Sequence, residues 1–368
     1  MTFVTQKQSK ICLTLFKVKL NIMAFLEFNN VRIAGFSAGV PKNVVKTKSR
    51  NPKYSDEDFI ESVGVSEKRI DAVSTTGDLS YHAAERLISD LGWAKEEIDA
   101  LVFVSQFRDY ILPATSCIIQ NRLGLRKECY AMDISLGCSG FVYGLSSVAA
   151  LLNSGCIKKA LLLVGDAKRP FLDMDLMDPL FGYAGCAIAV EYSTTTTPMF
   201  FHMGSDGSGY DAIIIPEGGA RNPVNEHTLD IITDEDGVRR HGLCSRMKGM
   251  DVFSFAISTA PKSVKKLAEK HLIDLGKVDY LVLHQAHKSI NERIAKKLGF
   301  GPERVLNSME HFGNTSSASI PMSIVAQTTT DTFKEEKSFM TCGFGVGLSW
   351  GTAYFKLKDC VISKLVEV

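Results

Sequence analysis

The sequence predicts an α/β protein in which an αβαβα unit is internally duplicated about a pseudo-two-fold axis. Two observations lead there. First, apolar runs of strand length alternate with amphipathic helical patterns, as in sheets covered on both faces. Second, three landmarks recur in the same order in the second half of the chain. Val278-Asp-Tyr-Leu-Val-Leu283 echoes Ile98-Asp-Ala-Leu-Val-Phe103, an offset of 278 − 98 = 180. Arg293 to Gly299 echoes Ile118 to Gly124 (293 − 118 = 175), and Gly313-Asn-Thr echoes Gly137-Cys-Ser (313 − 137 = 176). One such match means little, but three in order indicate a duplication. The expected division is an extension over 1–23, a first half over 24–195 and a second half over 196–368.

The elements follow in order. Residues 1–23 hold Lys7, Lys10, Lys17 and Lys19, no acid, and one short apolar run, Ile11 to Phe16. No small-residue cleavage site follows, and there are no arginines of a transit peptide. This segment is expected to be an upstream extension with the true start at Met23, or a flexible tail. Val31 to Phe36 reads as a strand, followed by a Gly-Pro loop through Val45. Tyr54 to Val63 is a helix with Ser55 as N-cap and acids in its first turn. Asp78 to Leu91 is an amphipathic helix, Ile98 to Ser105 a buried strand, and Ser116 to Leu123 a helix ended by Gly124. Ala131 to Leu136 is a short strand, and a largely apolar helix follows from Ser139. Ala160 to Gly165 and Gly182 to Val190 supply further strands. Gly204 to Arg246 is polar, rich in Gly, Asn and Asp, and reads as a surface excursion able to cover a site. Phe253 to Leu272 is the helix matching Asp78 to Leu91.

Composition narrows the class of function. The 368 residues suit about two domains or one large one. Hydrophobic residues at 45% and charged residues at 23% are ordinary globular usage, and a net charge of +1 gives no pull toward nucleic acid or membrane. No apolar run approaches the roughly 18 residues of a membrane span. Nine cysteines without paired CxxC spacing argue against a disulfide framework or a zinc site. A reducing, cytoplasmic setting is expected.

Gly137-Cys138 sits where a strand gives way to a helix. A cysteine there feels the free N–H groups and partial positive charge of the helix N-terminus, which favour thiolate, the nucleophilic form. Gly137, Ser139 and Gly140 are small enough to let a carbonyl approach the backbone. The bland alternative is a buried core cysteine. The duplication puts Asn314 where Cys138 stands in the first half, and His284 at the end of the strand matching Ile98 to Ser105. Together they suit acyl transfer joined to enolate formation: Cys138 carries an acyl group, while His284 and Asn314 donate to a thioester oxygen as it gains charge. Equally, His284 can be a satisfied strand-end histidine and Asn314 an N-cap, with His287 and His311 as competing histidines. Cys342-Gly-Phe-Gly-Val-Gly347 matches a nucleotide loop weakly, because no Lys or helix completes it.

The residues resemble a known family. Cys138-Ser-Gly-Phe, His284-Gln-Ala, Phe312-Gly-Asn314-Thr-Ser-Ser-Ala-Ser and Gly343-Phe-Gly-Val-Gly-Leu-Ser-Trp-Gly351 are similar to the motifs of β-ketoacyl-acyl-carrier-protein synthase III. The likeness runs from about Val31 to Leu357. It implies a thiolase-like fold, a Cys138–His284–Asn314 triad, and an oxyanion hole from the backbone N–H groups of Cys138 and Val346. Val346 stands where many members have Gly. The implied reaction moves a starter acyl group onto Cys138 and condenses it with decarboxylating malonyl-carrier protein. The resemblance further implies no metal or cofactor, a homodimer with Leu112 in the partner's acyl tunnel, and an acidic carrier protein docked on basic residues. Lys288, Arg293, Lys296 and Lys297 on one helix suit that docking, or form a solvated face.

Two other readings stay open: a same-fold acyltransferase to an alcohol or amine without decarboxylation, and a catalytically silent scaffold. The chain also departs from the family. Typical members hold the adenine of coenzyme A between the Trp and Arg of a Trp-x-x-x-Arg-Thr-Gly-Ile stretch. Here the stretch is Asp58-Phe-Ile-Glu-Ser62-Val-Gly-Val65, Asp175 falls at a further Arg position, and the following loop reads Phe181-Gly-Tyr-Ala-Gly185. Coenzyme A is therefore expected to be a poor starter donor beside an acyl-carrier protein, unless Arg169 or Lys248 takes over its phosphates.

Overall fold

The computed structural model describes residues 24–49, 55–167, 180–195, 197–234 and 239–368. The extension over 1–23, Tyr54, Arg169 and Asp175 lie outside the described residues.

In the first half, β1 (Ala24–Phe28), β2 (Val31–Val40) and β3 (Val44–Lys46) lead to α1 (Asp56–Val63), β4 (Glu67–Arg69) and α2 (Thr76–Leu91). There follow β5 (Ala100–Val104), α3 (Thr115–Arg122), β6 (Tyr130–Ile134), α4 (Gly140–Asn153), β7 (Lys159–Asp166) and β8 (Ala184–Tyr192). The excursion runs from β9 (Met199–Ser205) and carries β10 (Ile213–Ile214), β11 (Ile232–Thr233), β12 (Arg239–Arg240) and β13 (Arg246–Met247). The second half comprises α5 (Gly249–Lys270), β14 (Tyr280–Leu283), α6 (Lys288–Leu298), β15 (Val305–Leu306), α7 (Met309–Phe312) and α8 (Ser319–Gln327). The chain closes with β16 (Lys337–Gly345), β17 (Ser349–Leu357), β18 (Val361–Ile362) and β19 (Val366–Glu367).

The duplication is visible in how the strands pair. The first sheet runs β2-β8-β7-β5-β6 and the second β9-β17-β16-β14-β15. In each, the successive pairings are antiparallel, antiparallel, parallel and parallel. The ends of the chain cross over: β1 pairs with β9 in the second sheet, while β18 and β19 pair with β2 in the first.

Three apolar clusters fix the layers. Phe141, Leu145 and Val148 of α4 and Ile320, Met322 and Ile324 of α8 pack between the two sheets. Leu87 and Ile88 of α2 and Ile119 of α3 cover the outer face of the first sheet, against Leu101, Phe103, Leu161 and Leu163. Val264 and Leu267 of α5 and Ile294 and Leu298 of α6 cover the outer face of the second, against Leu281, Leu283 and Met340. The result is helix, sheet, helix, sheet, helix, the thiolase-like αβαβα order.

Local chemistry accounts for the element ends. Ser55 accepts from the Asp58 amide at 3.1 Å and caps α1, as its sequence predicts. Thr75 and Asp78 form a capping box at the start of α2. The strand expected to stop at Phe36 instead continues to Val40. Its glycines are there for packing rather than for a loop: a Cβ on Gly39 would lie 2.4 Å from the Leu79 carbonyl oxygen of α2. Among the described residues no helix is long and apolar enough to cross a membrane, and the cysteines are free thiols.

Candidate active site

Strand ends and turns from both halves meet around one cavity of about 1450 Å³. Cys138, His284, Asn314 and Val346 all line it, with Asp166, Gln106, Ser316 and Gly345. The cavity is larger than the roughly 300–1,000 Å³ of common ligand pockets, so it has room for a large substrate.

Cys138 comes from the turn between β6 and α4, two residues before the first helical residue. It is half-buried, with the sulfur facing the cavity. Gly345 is what lets the neighbouring loop close over it: a Cβ there would sit 2.7 Å from the Cys138 sulfur. The glycine-rich Cys342 to Gly347 stretch is thus a close-packing device beside a sulfur. The expectation of a resting thiolate is not met. Burial pushes the Cys138 thiol up to about 11, and the Asp166 charge adds to the rise. The N–H groups of Val346 and of Cys138 itself reach the sulfur and work against it, without outweighing burial. At neutral pH the residue is therefore a thiol.

His284 follows β14, and its backbone N–H donates to the Cys342 carbonyl at 2.9 Å. Burial lowers its pKa to about 4, so the ring is neutral at physiological pH. Its Nδ1 lies 2.8 Å from Ser319 Oγ. That hydroxyl is also 2.7 Å from the Ser316 carbonyl oxygen, so it has two places to send its hydrogen. When it donates to Nδ1, the ring hydrogen sits on Nε2 and the imidazole becomes a donor.

Asn314 is held by backbone pairing across the cavity rim: its N–H donates to Leu180 O at 2.7 Å. Its Oδ1 accepts from the Ser316 amide at 2.9 Å. The cap-like bond read as an alternative role is therefore present, and it leaves the Nδ2 hydrogens as donors.

The competing histidines separate. His287 also lines the cavity, but its Nδ1 is 3.3 Å from the Ser289 amide as the cap of α6. His311 is exposed and lies 3.3 Å from Glu67. On α6, Arg293, Lys296 and Lys297 are exposed, while Lys288 is half-buried with its Nζ 3.5 Å from the Glu61 carbonyl. Leu112 is 83% exposed and does not line this cavity. Asp58 and Ser62 lie on α1, also outside the cavity lining, whereas Lys46, Lys48 and Lys68 are in it.

Sequence reading missed Asp166 and Ser319. Asp166 Oδ1 accepts from Ser105 Oγ and the Gln106 amide, both at 2.8 Å, and from the Phe107 amide at 3.3 Å. The signal available was an acidic residue closing a strand that is apolar from Ala160 to Val164.

Residues 132–207 match the family model for 3-oxoacyl-[acyl-carrier-protein (ACP)] synthase III, and residues 268–357 match its C-terminal model. A β-ketoacyl-[acyl-carrier-protein] synthase III of Clostridium acetobutylicum is 31% identical over 332 residues, covering 89% of this chain and 99% of that protein. The chain belongs to the 3-oxoacyl-[acyl-carrier-protein] synthase III family. A second synthase III of that name, from Rhodopirellula baltica, is 31% identical over 349 residues, covering 89% of this chain and 98% of that protein. The fold agrees with the synthase III family. The crystal structure of a 3-oxoacyl-(acyl-carrier protein) synthase from Burkholderia xenovorans LB400 superposes with a TM-score of 0.85 at 33% identity. It covers 94% of this chain and 99% of that one.

Proposed function

We propose that the protein is a β-ketoacyl-[acyl-carrier-protein] synthase III that condenses a starter acyl group with malonyl-carrier protein. One observation carries the reading: a cysteine, a neutral histidine, an asparagine amide and two backbone N–H groups meet at one large cavity. Cys138 attacks the starter thioester, and its carbonyl oxygen is held by the N–H groups of Cys138 and Val346 as charge develops. Malonyl-carrier protein then replaces the spent thiol. Loss of CO₂ leaves an enolate whose oxygen takes hydrogen bonds from Asn314 Nδ2 and His284 Nε2. The enolate carbon attacks the acyl-cysteine, and the β-ketoacyl thioester leaves with the carrier. No metal or cofactor enters; coenzyme A or pantetheine is substrate carrier only.

The working form is a cytoplasmic homodimer. Tyr110, Ile111 and Leu112 are 62%, 81% and 83% exposed in sequence, an apolar run that a second copy would cover. The acidic carrier docks on Arg293, Lys296 and Lys297, with Lys288 nearer the cavity. Among starters, acyl-carrier protein is preferred over coenzyme A, because α1 offers Asp58 and Ser62 rather than an aromatic and a cation.

The test is stepwise. Wild-type protein incubated with a panel of acyl thioesters gains one acyl mass, absent from Cys138→Ala, and then converts malonyl-carrier protein to a β-ketoacyl product. An acyl-enzyme that never decarboxylates malonyl-carrier protein supports the acyltransferase reading instead. No acyl-enzyme at all leaves a silent scaffold.

A further inference from the structure

The two backbone N–H groups assigned to the oxyanion hole come from separate pieces of chain. Cys138 precedes α4, whereas Val346 opens the short turn, Val346 to Leu348, between β16 and β17. Gly345 and Gly347 flank it at φ +158° and φ +137°, settings that residues with a side chain rarely adopt. Glycine reaches such settings freely but does not hold them, so the Val346 peptide groups keep one orientation only if something else grips them.

A chain of two hydroxyls supplies that grip. Ser349 Oγ donates to the Val346 carbonyl oxygen at 2.7 Å, and Ser139 Oγ lies 2.7 Å from Ser349 Oγ. The Val346 oxygen can only accept, so the Ser349 hydrogen is committed to it and the Ser139 hydroxyl donates to Ser349. Ser139 is the residue after Cys138, so the chain runs from one N–H-bearing segment to the other. The two serines are 1% and 4% exposed and neither lines the cavity, so water does not compete for these bonds. Backbone packing closes the same junction: a Cβ on Gly343 would lie 2.9 Å from both the Cys138 carbonyl oxygen and Ser139 Cα. The hydroxyls are not needed to hold β16 to β17, which pair from Lys337 with Leu357 through to Gly345 with Ser349.

We propose that Ser139 and Ser349 form a latch that sets the Val346 N–H against the Cys138 N–H, so that both meet one thioester oxygen. The inference rests on the reading of Cys138 as the acylated nucleophile. With its carbonyl anchored, Val346 does not turn as a unit, and its N–H keeps the bearing that Gly345, packed against the sulfur, gives it. Both serines are positioning residues that act through the backbone, and neither touches the substrate.

Two reactions of the same sulfur test the latch. Single-turnover acylation by a short- and a long-chain acyl-pantetheine is followed by intact mass. Alkylation of Cys138 by iodoacetamide, read at its own peptide, is the reference. Alkylation displaces iodide from a saturated carbon and builds no oxyanion, so it reports the place of the sulfur but not the hole. Ser349→Ala is expected to slow maximal acylation about tenfold, part of the roughly 10²- to 10³-fold cost of a donor lost outright. Its half-saturating thioester concentration and its alkylation rate should stay near those of wild type. Ser139→Ala should slow acylation less, and the double variant should be no slower than Ser349→Ala, because Ser139 acts only through Ser349. Ser349→Thr keeps the hydroxyl and should acylate faster than Ser349→Ala. Wild-type acylation in Ser349→Ala, alkylation that falls in parallel, or additive losses in the double variant overturn the latch and leave the nucleophile in place. A wild type that gains no acyl mass from either thioester overturns the nucleophile and the latch together.

Discussion

The Nδ1 atom of His284 and the hydroxyl of Ser319 lie 2.8 Å apart, and both residues are buried. The direction of that bond decides the ring tautomer. A hydroxyl donating to Nδ1 leaves the hydrogen on Nε2, where a developing enolate needs it. Ser319→Ala removes that bond and retains the cavity. We expect decarboxylation of malonyl-carrier protein to fall about tenfold or more, on the scale of one weakened oxyanion donor. Acylation of Cys138 should be nearly unchanged. The imidazole ¹⁵N shifts of His284 should move toward the Nδ1–H form; identical shifts in parent and variant would remove Ser319 from the mechanism.

Gly345 makes a second, steric prediction. A Cβ at this position would lie 2.6 Å from Cys138 Cβ and 2.7 Å from its sulfur. Neither atom can retreat easily, since Cys138 O and Ser139 Cα are already the near neighbours of Gly343. Gly345→Ala should therefore displace the sulfur and the Val346 N–H together. Acylation should drop at least a hundredfold, the scale of a lost oxyanion donor, and the melting temperature should fall by a few degrees. Ordinary acylation kinetics would mean that the loop moves freely.

These cases show what the sequence could and could not reveal. Cys138 and Asn314 could be placed in one cavity because each follows a glycine and the halves repeat that pattern; the expected strand-to-helix switch holds for Cys138, whereas Gly313-Asn314 follows the short helix α7 rather than a strand. The layered, duplicated architecture was legible for a related reason, since near-continuous apolar runs announce covered sheets. Asp166 and Ser319 were not. Ser105 lies 61 positions from Asp166 and Ser319 lies 35 from His284, so each role arises only when folding joins distant turns. The thiolate expectation failed for a related reason: helix position is local, but desolvation depends on what the rest of the chain stacks around the sulfur.

Two buried histidines set how stability responds to acid. His202 and His284 are both lowered to about 4 by burial, against an ordinary value of 6.5. Depressed bases favour the folded state above the unfolded value, and that contribution is lost as pH falls from about 6.5 toward 4. Between pH 7 and 5 each loses on the order of 2 kcal/mol. Asp166, raised to about 6, works the other way: its contribution is present in acid and lost as pH rises through 6, which returns about 1 kcal/mol. The net expectation is a fold less stable at pH 5 than at pH 7. His202 Nδ1 is 2.7 Å from Ser263 Oγ, far from the chemistry. His202→Gln should flatten the pH dependence of the urea midpoint; an unaltered slope would show that His202 already titrates normally.

Carrier choice can be read from charge. Arg293, Lys296 and Lys297 share the exposed face of α6, and α6 begins one residue after His287 on the cavity wall. A pantetheine arm entering beside His287 would bring its carrier protein against that face. On α1, Ser55 Oγ donates to Asp58 Oδ2 at 2.9 Å, so the helix carries a capping carboxylate where the family resemblance implies an aromatic ring. Loss of a stacking platform and its cation removes roughly 1–3 kcal/mol per partner. We therefore expect a Michaelis constant at least tenfold higher for an acyl-coenzyme A starter than for the same acyl group on carrier protein. Lys296→Glu should raise the constant for carrier-bound substrates several-fold, with the effect shrinking as salt screens it, and leave free pantetheine thioesters untouched. Equal constants for the two starters would mean that other groups, Lys248 among them, hold the coenzyme's phosphates. Lys248 is paired with Asp211 at 2.6 Å, which argues against it as that group and leaves Lys46 and Lys48 of the cavity wall as the next to substitute.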